Sequence, residues 1–340
     1  MTNFKQYFRL HLKENVRNII CILVSVLTLT FLIAISADPV WRSSPVDGTE
    51  LLSFGGTLYV PTVFIAILVY ILPFMEFSIF KKRINLDCLY ALPISRRTMG
   101  LVHYLTGLIV LFGVFTISHL FNFILLLSRG LTWYNPPSMI VHYFLCLLFG
   151  FAMYSIMSFV FNEANTKGDG IWFMILYTFV FMFLICTIEN KVGIRNSSVD
   201  SYLNHENWLP WIFFAQMTIS YWSFKLGSAD VSFWLTQENV IVFVFWIIVG
   251  VASAIGLFLT FGKRRMELTE EQSDSFFGFR VLLPIYAICG MLLCGGLEYI
   301  FFTVIIELFT IFGYTIYRRG FHYKKSDIAV MLLLLIFLFL

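Results

Sequence analysis

Side chains able to do acid–base or ligand chemistry are few in this chain, and most stand in apolar surroundings. His119 and Glu307 fall inside long apolar runs. An ionisable group there is costly unless it faces a protein interior, so each is a candidate for transport or coupling as well as for a structural hydrogen bond. Glu76, His103, His142 and Glu298 lie near the ends of such runs, where snorkelling to the interface is the simpler account. His205 and Glu206 lie between runs and form the polar pair that a membrane enzyme or sensor would use. The chain has no GxxxxGK[ST] loop to cradle phosphates, and no HExxH, GxSxG or GxGxxG, so catalytic and cofactor-binding residues are expected to be none. The six cysteines show no CxxC or Cys/His spacing for a metal, so a metal site is not expected either.

The most informative polar stretch follows the basic stop Lys81-Lys82-Arg83. Ile84–Leu92 is long enough for about two and a half helical turns. Pro93 should stop that helix, and Ser95 should cap the next. Leu86, Leu89, Tyr90 and Leu92, set beside Asp87, are more apolar than a solvated loop needs. They should pack against the chain's own helix ends or dock into a partner.

The elements that position these residues are set by hydropathy. A span needs about 20 apolar residues, and candidates run Ile19–Ser36, Leu58–Phe80, Leu101–Leu127, Met139–Phe161, Ile171–Ile188, Val240–Phe261, Val281–Leu297 and Tyr299–Tyr317, with a ninth run at Ile328–Leu340. Charged residues are only 13% and hydrophobic ones 59%, where a soluble domain carries about 25% charged. Lipid leaves backbone groups no external partner and the runs lack barrel alternation, so the fold class is all-α: a polytopic helical membrane protein.

Of the 23 lysines and arginines, all but Arg42, Arg129, Lys191, Arg195 and Lys225 fall on one side of this layout. The positive-inside rule then places the N-terminus and the basic loops in the cytoplasm of a multi-pass plasma-membrane protein. The net charge of +3 reports that topology and gives no sign of nucleic-acid binding. Residues 1–18 carry Phe4, Phe8, Leu12 and Val16 beside Lys5, Arg9, Lys13 and Arg17, the pattern of an amphipathic helix lying on the inner leaflet. A simple cytoplasmic extension of the first span and a cleaved signal ending near Ala34 and Ser36 are the competing readings.

Residues 19–261 hold six spans, with the cytoplasmic loop 81–100 and an outer segment 189–239. Trp208, Pro210, Trp211 and Trp222 make the outer segment too apolar for water and too broken for a span, which suits a re-entrant gate in the outer leaflet. Residues 262–280 read as a charged, solvated connector, and 281–340 as an extra hairpin with a terminal apolar run.

Leu86-Asp87-Cys88-Leu89-Tyr90-Ala91-Leu92-Pro93-Ile94-Ser95-Arg96-Arg97 resembles the coupling segment between spans two and three of type-two ABC exporter permeases. The resemblance extends over roughly residues 1–261. It implies a permease that moves a hydrophobic or amphipathic substrate (peptide, drug or lipid), with Leu86, Asp87, Leu89, Tyr90, Leu92 and Pro93 in the groove of a separate ATP-binding cassette ATPase. ATP and magnesium would then sit in that partner, and a second permease copy or relative would complete the pathway. A membrane-embedded enzyme or sensor subunit is the alternative from another class.

Overall fold

Apolar runs become helices here because each backbone N–H and C=O must find its partner within the segment. In order, the computed structural model contains α1 (Thr2–Ser36), β1 (Pro39–Ser43), β2 (Glu50–Phe54), α2 (Tyr59–Phe77), a 3-10 turn (Ser78–Lys81), α3 (Arg83–Tyr90), α4 (Arg96–Ser128) and α5 (Pro136–Glu163). Then come α6 (Lys167–Val192), α7 (Gln237–Phe261), α8 (Phe279–Cys294), α9 (Ile300–Arg318) and α10 (Lys325–Phe337). The structure describes residues 2–36, 39–43, 50–54, 59–128, 136–192, 210, 237–263, 269–271, 273, 275–294 and 300–337.

Six of the described helices are long and apolar enough to cross a membrane: Phe4–Ile33, Pro61–Lys81, Arg96–Leu125, His142–Glu163, Lys167–Ile188 and Val240–Phe261. The chain is a multi-pass helical membrane protein. The strands β1 and β2 pair antiparallel, from Pro39 opposite Phe54 to Ser43 opposite Glu50, as a ribbon between the first two long helices. Their run is too short and irregular in hydropathy to read as a hairpin from sequence.

The described residues among 1–77, 88–159 and 211–264 form one compact unit. In it α4 packs against α1, α2 and α7. Helix α1 is continuous through the leader and the first apolar run. It exposes Lys5, Arg9, Lys13 and Arg17 and buries Tyr7, His11, Val26 and Thr30. Outward side chains such as Ile20, Val24, Leu120, Ile124, Ile248 and Ile255 are apolar and exposed, as lipid contact requires. Small residues permit the closest approaches: Gly107 faces Tyr154, whose hydroxyl donates to the Tyr104 carbonyl at 3.2 Å, and Gly250 lies on the backbone of Ala152.

The described residues among 78–87, 160–210 and 265–340 form the second unit, where α8 packs on α6, α9 and α10. Thr269, Glu270, Glu271 and Ser273, which read as part of a solvated connector, instead tie the unit's loops together, with Thr269 and Ser273 buried. The Ser273 hydroxyl accepts from the Asn165 N–H at 2.7 Å and donates to Asp169 at 2.5 Å. Arg83 donates to the Thr269 carbonyl at 2.9 Å, and Arg319 to the carbonyls of Glu270 and Glu271.

At the start of α10, Arg318 grips Asp327 through two bonds of 2.7 and 2.9 Å, while Asp327 also accepts from the Lys324 N–H as in a capping box. Burial pushes the Asp327 carboxyl up, but the bonds from Arg318 and Lys324 and the guanidinium charge outweigh it and hold the group below the usual carboxylate range. By contrast, the Arg83–Glu271 pair is 3.3 Å long and about half exposed on both sides. Glu271→Gln should therefore shift the melting temperature of the purified protein little, a cost below about 1 kcal/mol.

Candidate functional site

The stretch between α2 and α4 begins with a buried cation. Lys81 is 2% exposed, and its ammonium donates to the carbonyls of Asn162 at 2.9 Å and Ala164 at 2.5 Å, with the Phe161 ring 5.3 Å away. A cation on a last-turn carbonyl of α5 and on the Ala164 carbonyl just past it satisfies groups that the helix itself cannot and complements its dipole. In the sequence Lys81 reads as one charge in a basic stop. Its distinguishing signal is position, four residues after Phe77 at the end of α2.

Helix α3 then runs Arg83–Tyr90, opening with the Leu86 N–H on the Lys82 carbonyl. It ends ahead of Pro93, whose ring excludes the helical conformation at Leu92. Ser95 caps α4: its hydroxyl accepts from the Thr98 N–H at 3.2 Å, and its carbonyl from the Met99 N–H at 3.0 Å.

The coupling candidates divide by exposure. Leu86 is buried at 3%, Leu89 is half-buried, and Asp87, Leu92 and Pro93 are exposed. Ile84 is 80% exposed. Tyr90 closes α3, and its side chain lies outside the described residues.

A second cluster was not foreseen. His11 on α1, Glu76 in the last turn of α2 and His103 two turns into α4 converge, at 9%, 6% and 2% exposure. One carboxylate oxygen, Glu76 Oε2, lies 2.8 Å from His11 Nε2 and 3.0 Å from His103 Nδ1. An ionised carboxylate only accepts, so in this network both imidazoles donate to it. His103 Nε2 then accepts from the Tyr7 hydroxyl at 3.2 Å, and the Asn15 amide reaches the His11 ring.

Glu76 and His103 therefore do not snorkel. Partners within the bundle satisfy them more fully than the interface would. His11 escaped notice because it lies in a polar leader, and its partners are 65 and 92 residues away in sequence.

His119 is buried at 7% beside Phe115, Tyr143 and His142, with ring centroids 5.5–6.1 Å apart. His142 is buried as well, with Nε2 3.2 Å from the Cys146 sulfur one turn on, so it does not reach for the interface either. Glu307 is partly buried on α9, and among the described residues its buried Oε2 has no hydrogen-bond partner. Pro210 is buried. Trp208, Trp211 and Trp222 of the expected gate, like His205, Glu206 and Glu298, lie outside the described residues.

Comparison of the chain with protein-family models, curated proteins and solved structures found no match.

Proposed function

We propose that the chain is the membrane-embedded permease subunit of an ATP-driven exporter, coupled through α3 to a separate cytoplasmic ATPase that holds ATP and magnesium. The observation that carries this reading is the two-sided α3. Leu86 is buried while Ile84, two residues before it and so on the opposite side of the helix, stands 80% exposed, which is the form of a helix held by its own protein on one side and offered to a groove on the other. Lys81 and Arg83 fix its start to neighbouring carbonyls, so a push on α3 has a stiff path into the chain.

The strong excess of Lys and Arg in this loop and its alternates supports the cytoplasmic side and an inward N-terminus at the plasma membrane. In this reading a second permease copy or relative completes the pathway for an apolar or amphipathic substrate, and the aromatic segment around Trp208–Trp222 closes its outer end.

Copurification from native membranes tests the coupling. The wild-type chain should bring down a subunit with vanadate-sensitive ATPase activity. Ile84→Glu combined with Leu92→Glu should cut its recovery at least about tenfold, the effect of losing about 1.4 kcal/mol of binding. Unchanged recovery and turnover in a normally inserted double variant would sink the proposal.

A further inference from the structure

We propose that His11, Glu76 and His103 form a binding site for a divalent transition-metal cation, with zinc the best-fitting chemistry. The site shares no residue with α3 and goes beyond the exporter reading.

Their ligating atoms all lie within 4.8 Å of one another. Two imidazole nitrogens and one carboxylate oxygen are the donor set of open zinc sites and of facial triads. Metal–ligand bonds of about 2.0–2.1 Å in a tetrahedron set neighbouring ligand atoms about 3.3 Å apart. The observed 2.8 and 3.0 Å from Glu76 Oε2 are within about 0.5 Å of that, and the two imidazole nitrogens lie within 4.8 Å of each other, so side-chain rotations that draw the histidines together admit an ion.

Both imidazoles address the same oxygen, Glu76 Oε2, as they would around a single point. The surrounding shell also suits a metal: with His103 Nδ1 on the ion, its Nε2–H would donate to the Tyr7 hydroxyl 3.2 Å away, the kind of outer partner that orients a ligating histidine.

The three side chains offer a single carboxylate, which argues against calcium or magnesium, because those cations require oxygen ligands. The three ligands come from three helices, so a bound ion would staple α1, α2 and α4 together.

Metal uptake by the full-length protein tests this, purified in detergent without a histidine tag, stripped with a chelator and offered zinc or cobalt. About one ion per chain is expected, with the visible absorption of four- or five-coordinate cobalt and a higher melting temperature. Tyr7→Phe, which keeps all three ligands, should weaken binding about tenfold. Glu76→Gln should abolish uptake, and His119→Gln, in the separate histidine pair, should leave it unchanged. Wild-type uptake no greater than that of Glu76→Gln, or equal loss with His119→Gln, overturns the site and leaves a hydrogen-bonded cluster only. If Glu76→Gln does not fold, absence of the cobalt band from the stripped wild type decides against the proposal.

Discussion

Replacing Gly250 with leucine should force α7 away from α5 and lower the melting temperature of the detergent-solubilised protein by several degrees. A Cβ at position 250 would lie 2.4 Å from the Ala152 Cα and 2.6 Å from its Cβ. The obstacle is the backbone of another helix, which cannot swing aside as a side chain can. Overpacking of this kind costs about 3 kcal/mol, at the upper end of measured core insertions, and membrane helices depend on such close approaches for association. Gly113 is the control, since a Cβ there meets nothing within 4 Å. Gly113→Ala should be neutral or stabilising by up to about 1 kcal/mol through helix propensity. If both variants melt alike, the α5–α7 contact does not limit stability.

Lys81→Met should destabilise the protein by about 3 kcal/mol although it keeps most of the side chain's apolar volume, because two carbonyls at the end of α5 would lose a charged donor. Lys82→Met, one residue on and exposed, should change stability by less than about 0.5 kcal/mol. Melting curves of the two variants side by side give the measurement. Equal effects would mean that Lys81 contributes only its charge. If α3 transmits ATPase closure, Lys81→Met should also lower stimulated turnover more than it lowers ATPase recovery, because the docking surface remains while its anchor is lost.

The helices and the caps were legible because their causes are local. Apolar runs at Val240–Phe261 or His142–Glu163 admit little but helix, and Pro93 and Ser95 act within a few residues of themselves. The polar clusters were not legible, because His11, Glu76 and His103 lie on three different helices and nothing in the sequence couples them. Position near a run's end suggested the interface for Glu76 and His103, and the same position is where three helices meet. The residues around Thr269 and Ser273 misled for a related reason: their charged neighbours suggested water, yet Thr269 and Ser273 are buried and bond to distant loops.

The Glu76 cluster also imposes an order on biogenesis. As the ribosome delivers the chain, α2 enters the membrane with a carboxylate near its end and only His11, already made, to meet it. Its second imidazole arrives with α4, after the α3 loop has been synthesised. Until then the carboxylate on α2 has one imidazole to meet it in place of two. The translocon therefore has a physical reason to hold the first two helices at its gate until the third arrives, and release as a three-helix unit would bury the carboxylate in one step.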